Sequence, residues 1–300
     1  MSSKPSRLLI ILSFATIYIV WGSTYLFAAF AIEQIPAFRL CSYRYLIASS
    51  LIAIPVFFSS LKLPAKQEII NATIAGFVFM GLGTGGAIWA LNFLDTGLTA
   101  LIIAGEPLII LVMMWVVNAK SPPLESFAGV ILGLIGMYIL LHQKTLISGS
   151  EQVFGIVIVF ASMIAWGGGS IFVSKAKLPD SEWINSAIQM FVGGFSTLII
   201  SFLIGESGAP VSDYNYTTLI SLLYLIIFGS VAAFTAFNFL LRHVSTEKVV
   251  TNTYVNPIIA MILGFLFNDE LITWQSIFAA CVMLLGVFIV NTTKVPKTKT

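Results

Sequence analysis

The chain has 300 residues, of which 58 % are apolar and 9 % charged, and its mean hydropathy is +0.98. A soluble domain carries about 25 % charged residues, so this composition excludes a soluble enzyme or binding module and places the chain in a lipid bilayer. The net charge of +2 is too small for a nucleic-acid surface, and two cysteines in apolar runs, Cys41 and Cys281, outline neither a disulfide framework nor a metal site.

The N-terminus has a basic start followed by an apolar run that continues past Phe27. The apolar core of a cleaved signal peptide is about 7–15 residues long, so this run reads as a retained first span. About 20 residues are needed to cross a bilayer as a helix. Ten stretches meet that length: 8–30, 35–58, 69–92, 97–117, 124–141, 153–174, 183–204, 217–240, 247–267 and 272–290. The loops between them are brief. Lys and Arg in loops set orientation, the cytoplasmic side carrying the excess. With the N-terminus inside, twelve fall on the cytoplasmic side, from Lys4 to Lys299, and one, Lys144, on the outer side. Both termini are therefore expected in the cytoplasm. Arg39 and Arg44 fall within the second span.

The chain repeats. Residues 90–141 shifted by 150 overlay 240–291 without a gap: Pro107 meets Pro257, Asn118 meets Asn268, Ser126 meets Ser276 and Gly136 meets Gly286. Upstream the shift becomes 145, and Trp21-Gly22 meets Trp166-Gly167, while Arg44 meets Gln189. Five spans per half is an odd number, so the halves enter the membrane in opposite senses. The expected fold is all-α: ten transmembrane helices in two inverted five-helix repeats, 8–141 and 153–290. Inverted repeats place substrate sites near the midplane.

The polar residues inside spans are the candidate site. Glu106 lies near the middle of the fourth span, and a carboxylate there costs roughly 2.5–3.5 kcal/mol on insertion scales. Pro107 follows it, and a proline inside a helix frees a carbonyl that lipid cannot satisfy. Thr99, Ile103 and Glu106 share a helix face by spacing; so do Asn252, Thr253 and Asn256, beside Pro257. These two faces are expected to line opposite walls of one cavity, and the competing expectation is helix–helix hydrogen bonding. Burial disfavours the charged form of a carboxyl group, which would suit proton coupling through Glu106. Arg44 has three readings: snorkelling to the outer surface, pairing with Glu106, or meeting a substrate carboxylate. Trp21 and Trp89 are candidate cavity aromatics, with an interfacial belt as the alternative. The run Gly81 to Gly86 matches a dinucleotide fingerprint by letter, but it lies inside an apolar span with no preceding strand, so its glycines serve close helix packing. No Walker A sequence is present, and no cofactor is implied.

Trp21-Gly22-Ser23-Thr24, Pro36 to Arg44-Tyr45-Leu46, Ala90-Leu91 through Pro107, the echo Leu240 through Pro257, and Asp269-Glu270 resemble, in order and spacing, the EamA-type branch of the drug/metabolite transporter superfamily. The first half departs from the pattern with Ala119-Lys120 where the second has Asp269-Glu270. The resemblance implies ten helices around a central cavity, lined largely by the third, fourth, eighth and ninth. It also implies export of small metabolites. The expectation is thus a secondary transporter, not an enzyme, that exports small molecules such as amino acids across the cytoplasmic (inner) membrane. Its partners would be a small-molecule substrate and the lipid bilayer, and its oligomeric state is left open. The alternatives are an uptake carrier or uniporter of the same fold, an intramembrane enzyme, or a channel. No His or Asp lies deep in a span, which counts against the enzyme.

Overall fold

A chain in hydrocarbon must satisfy its backbone hydrogen bonds within each segment or close a barrel. This one uses helices, with no strand among the described residues. The computed structural model describes residues 6–58, 63–90, 92–94, 99, 102–103, 105–118, 123–141, 150–267 and 273–292. The helices are α1 (Arg7–Ile32), α2 (Ala37–Phe57), α3 (Lys66–Ala90), α4 (Glu106–Asn118), α5 (Leu124–Leu141), α6 (Ser150–Lys175), α7 (Glu182–Leu203), α8 (Tyr216–His243), α9 (Asn252–Phe267) and α10 (Trp274–Thr292). Among the described residues six of them (α1, α2, α3, α6, α7 and α8) are long and apolar enough to cross a membrane, while α5 and α10 contain shorter apolar stretches.

Local chemistry sets the ends. Ser6 accepts a hydrogen bond from Leu9 N at 3.1 Å at the start of α1, and Asn215 accepts one from Thr218 N at 2.8 Å at the start of α8; both satisfy orphan donors of the first turn. The α2 start is capped from a distance. The Glu206 carboxylate accepts from Phe38 N and Arg39 N, each at 3.0 Å. At the other face, Arg242 pairs with Glu182 at 3.0 Å and donates to Pro179 O at 2.7 Å.

Two spans differ from the sequence expectation. The fourth was expected over 97–117, kinked at Pro107 in mid-helix. The described residues show helical geometry at Thr99 and at Ile102–Ile103, a turn at Gly105, and α4 starting at Glu106. Pro107 therefore sits in the first turn of a helix, where its missing N–H costs nothing, and not at a kink in mid-helix. The ninth was expected over 247–267. It opens with a single helical turn, Thr246–Val249, and breaks at Val250 and Thr251 before α9 begins. Side-chain hydroxyls compete for the carbonyls there: Thr251 Oγ1 donates to Lys248 O at 2.6 Å and Thr253 Oγ1 to Val250 O at 2.9 Å.

The helices pack in matched sets. α5 packs on α10 and α2 on α7; α1 packs on α9 as α6 does on α4; α6 packs on α3 as α1 does on α8. Small residues allow the approach. A Cβ on Gly22 would lie 2.7 Å from Ile259 Cβ, and one on Gly167 would lie 2.8 Å from Ile110 Cγ1. At the α5–α10 seam, a Cβ on Gly136 would lie 2.9 Å from Ala279 O and 2.6 Å from Met283 Cγ, and one on Gly286 would lie 2.6 Å from Gly129 O and 2.8 Å from Gly133 N. Moving each residue by 150 into the other half (136 to 286, 129 to 279, 133 to 283) exchanges the two sets. α3 and α8 each contain a π-helical stretch, Phe77–Thr84 and Leu225–Ala232, displaced by 148 residues. In each, a hydroxyl reaches back five residues, Thr84 Oγ1 to Phe79 O at 3.3 Å and Ser230 Oγ to Leu225 O at 3.0 Å. Large apolar side chains point outward along the helices (Ile11, Ile19, Ile54, Phe191, Phe195), while Ser, Asn and Gln side chains are buried inside. This arrangement suits a lipid surround and is the reverse of a water-soluble surface.

Candidate functional site

Glu106 begins α4 and is 3 % exposed, and its Oε1 has no hydrogen-bond partner among the described residues. Apolar groups crowd the preceding residue: a Cβ on Gly105 would lie 3.6 Å from Met163 Cε and 3.9 Å from Leu134 Cδ2. Tyr254, on α9, lies within electrostatic range of Glu106. Its ring is fully buried and its hydroxyl also lacks a partner among the described residues. Gly133 on α5 makes room for that ring, since a Cβ there would be 2.8 Å from it. The Thr99 hydroxyl is another buried group without a partner among the described residues. Unpaired buried polar atoms are costly; they occur on other helices too, at Ser42 on α2, Ser201 on α7 and Ser221 and Thr235 on α8, but the carboxyl group among them inside a span is Glu106. Tyr254 was not singled out from the sequence; the sign available was a phenol in mid-span, beside Asn256.

The ninth-span set takes a different place. Asn252, Thr253 and Asn256 are all buried. With its amide oriented to satisfy both ends, Asn256 donates to Asn252 O at 2.9 Å and Tyr18 O at 3.3 Å, and accepts from Asn252 Nδ2 at 3.3 Å. Tyr18 OH also meets Thr251 Oγ1 at 2.9 Å. These groups bond α9 to α1. The Pro257 side chain lies outside the described residues; its backbone is the sixth residue of α9.

Between the halves stands an aromatic cluster. Trp21 and Trp166, matched in the repeat, meet edge-on at 5.8 Å. Phe237 lies 4.9 Å from Trp21 and 5.4 Å from Trp166, and Phe79 lies 4.6 Å from Trp166. The Trp21 Nε1–H donates to Gly229 O at 3.1 Å. Thus Trp21 is interior, not part of an interfacial belt. Trp89 sits apart near the end of α3, against Phe38, Phe93 and Phe154 at 5.6–5.9 Å. Arg44 neither snorkels nor meets Glu106. It is 6 % exposed, donates from Nε to Ser230 Oγ at 3.0 Å, and lies over the Tyr45 ring at 4.8 Å. A cleft of about 430 Å³ opens elsewhere, between α4 and α6, lined by Met113, Val117, Gly168, Ile171, Phe172 and Lys175.

The family model of the EamA-like transporter family matches the sequence twice, over residues 8–142 and 153–292. The chain belongs to that family. It is 28 % identical over 281 residues to the uncharacterized inner membrane transporter YedA of Escherichia coli strain K12, covering 91 % of this chain and 90 % of YedA. It is 22 % identical to the uncharacterized transporter YoaV of Bacillus subtilis, covering 93 % and 95 %. A crystal structure of a protein only 16 % identical superposes with a TM-score of 0.78, covering 95 % of this chain and 97 % of that one, which supports the fold. The chain is thus an all-helical member of a transporter family, with a membrane environment and a small-molecule cargo.

Proposed function

We propose that the protein is a secondary transporter that exports small metabolites such as amino acids across the inner membrane, coupled to protons through Glu106. In this reading ten helices form two inverted five-helix repeats, 8–141 and 153–290, with both termini in the cytoplasm. The matched packing of α1 on α9 and α6 on α4 supports that arrangement. The observation that carries the coupling is the buried Glu106 Oε1, which has no hydrogen-bond partner among the described residues and lies within electrostatic range of Tyr254, whose hydroxyl is in the same condition. A carboxyl group held among apolar atoms favours its neutral form and can take a proton from one side. Water or cargo reaching it from the other side restores the charged form. Thr99 would line the same space. Asn252, Thr253, Asn256 and Pro257 would form the hinge of α9 on α1, and Trp21 and Trp89 two aromatic walls of the path. Opening the path requires the Trp21–Trp166–Phe79–Phe237 cluster to part. No residue set here is offered as catalytic.

The test is efflux of a metabolite panel from loaded proteoliposomes under an imposed pH gradient. At least one small metabolite is expected to leave faster when the gradient is present. Efflux of none, or efflux indifferent to the gradient, would overturn the reading.

A further inference from the structure

Arg44 carries an uncompensated charge. It stands seven residues into α2 from Ala37, or about 10 Å along the axis at 1.5 Å per residue. A guanidinium stays protonated in proteins, and a buried charge is expensive unless paired. Among the described residues, however, no carboxylate pairs with it: the ion pairs are Lys177–Glu68 and Arg242–Glu182. The nearby Glu206 carboxylate is spent on the first N–H groups of α2.

The surroundings orient the guanidinium without neutralising it. Ser230 accepts from Nε and donates its own hydroxyl hydrogen bond to Leu225 O inside the π-helical stretch of α8. That leaves the two terminal nitrogens with no hydrogen bond to a described residue. Gly229 lets the guanidinium pack against α8, since a Cβ there would lie 3.2 Å from Nη2 and 3.0 Å from Thr24 Cγ2. Tyr45 covers one face of the guanidinium. The matched position in the other half, Gln189, is neutral and satisfied: it donates to Asn185 Oδ1 at 2.9 Å and accepts from Asn238 Nδ2 at 3.2 Å. At these matched positions the charge belongs to one half only. π-helical stretches occur often at functional sites.

We propose that Arg44, held by Ser230, is the recognition site for an oxyanion group, carboxylate or phosphate, on the transported molecule. Two terminal N–H groups in one plane match two oxygens of such a group. The proposal rests on the transport reading and narrows its cargo to anionic or zwitterionic molecules.

The test is thermal unfolding of the full-length protein in lipid nanodiscs, titrated with small carboxylates, each paired with its neutral amide, and with inorganic phosphate. The expected result is a dose-dependent rise in Tm with an oxyanion and none with the matching amide. Arg44→Gln should abolish the rise. Arg44→Lys, which keeps the charge but not the planar fork, should weaken affinity by about tenfold or more. No response to any oxyanion, an equal response to the amide, or unchanged affinity in Arg44→Lys would overturn the proposal, and the last holds even if Arg44→Gln fails to fold. Efflux of the stabilising anion, measured separately, tells the two readings apart. Arg44-dependent binding without efflux supports the anion site and contradicts transport. Efflux confined to cargo without an oxyanion contradicts the anion site and leaves transport standing.

Discussion

Glu106-Pro107 and Asn256-Pro257 occupy the same place in the two halves, 150 residues apart. Both polar side chains are buried, at 3 % and 4 % exposure. Yet the Asn256 amide meets Asn252 and a carbonyl of α1, while one Glu106 oxygen meets nothing among the described residues. The same local frame thus serves two ends. An amide cannot change charge and is used to bond helices. A carboxyl group can, and it is left with unmet capacity beside a tyrosine in the same condition. Burial alone does not tell these two groups apart; the bonded amide and the carboxyl oxygen without a partner among the described residues do.

That contrast can be broken by substitution, and thermal unfolding of the purified protein reads each case. The largest loss is expected from Gly133→Val, which forces a side chain into the Tyr254 ring and costs about 1–3 kcal/mol as overpacking; an unchanged Tm would mean that Tyr254 does not sit on α5. Asn256→Ala removes one helix–helix contact, to Tyr18 O, and two contacts with Asn252 within α9, and should cost more than the roughly 0.6 kcal/mol of the first alone. Stability equal to that of the native protein would refute its bonding role. Tyr18→Phe should lose at least about 0.6 kcal/mol, for the hydroxyl contact with Thr251. Glu106→Gln should change stability least, by under about 0.5 kcal/mol, because no hydrogen bond of Oε1 is there to lose. A loss as large as that of Asn256→Ala would return Glu106 to a packing role.

Much of this was legible in the sequence because hydrophobic run length and loop punctuation are what bilayers select. The sequence marked Gly136 with Gly286, and Trp21-Gly22 with Trp166-Gly167, as matched positions of a repeat; the structure shows that the first pair lies at the α5–α10 seam and the second where α1 meets α9 and α6 meets α4. The broken starts of α4 and α9 were not legible. An apolar run looks the same whether its backbone is continuous or interrupted, and the interruption depends on Thr251 and Thr253 hydroxyls taking carbonyls. The π-helical stretches also left no mark in composition. Site partners were hidden for another reason. Spacing placed Asn252, Thr253 and Asn256 on one face but could not say that α1 covers it. Nor could it say that Ser230, 186 residues away, holds Arg44. The expectations about Ala119-Lys120, Lys144 and Asp269-Glu270 lie outside the described residues.

The most direct measurement compares native protein and Glu106→Gln in proteoliposomes, reading two quantities for the same cargo: exchange at equal pH on both sides, and accumulation driven by a pH gradient. The expected result is that Glu106→Gln folds, still exchanges cargo, and loses accumulation. A well-folded Glu106→Gln protein that still drives uphill transport from a proton gradient would contradict the assignment of Glu106 as the coupling group.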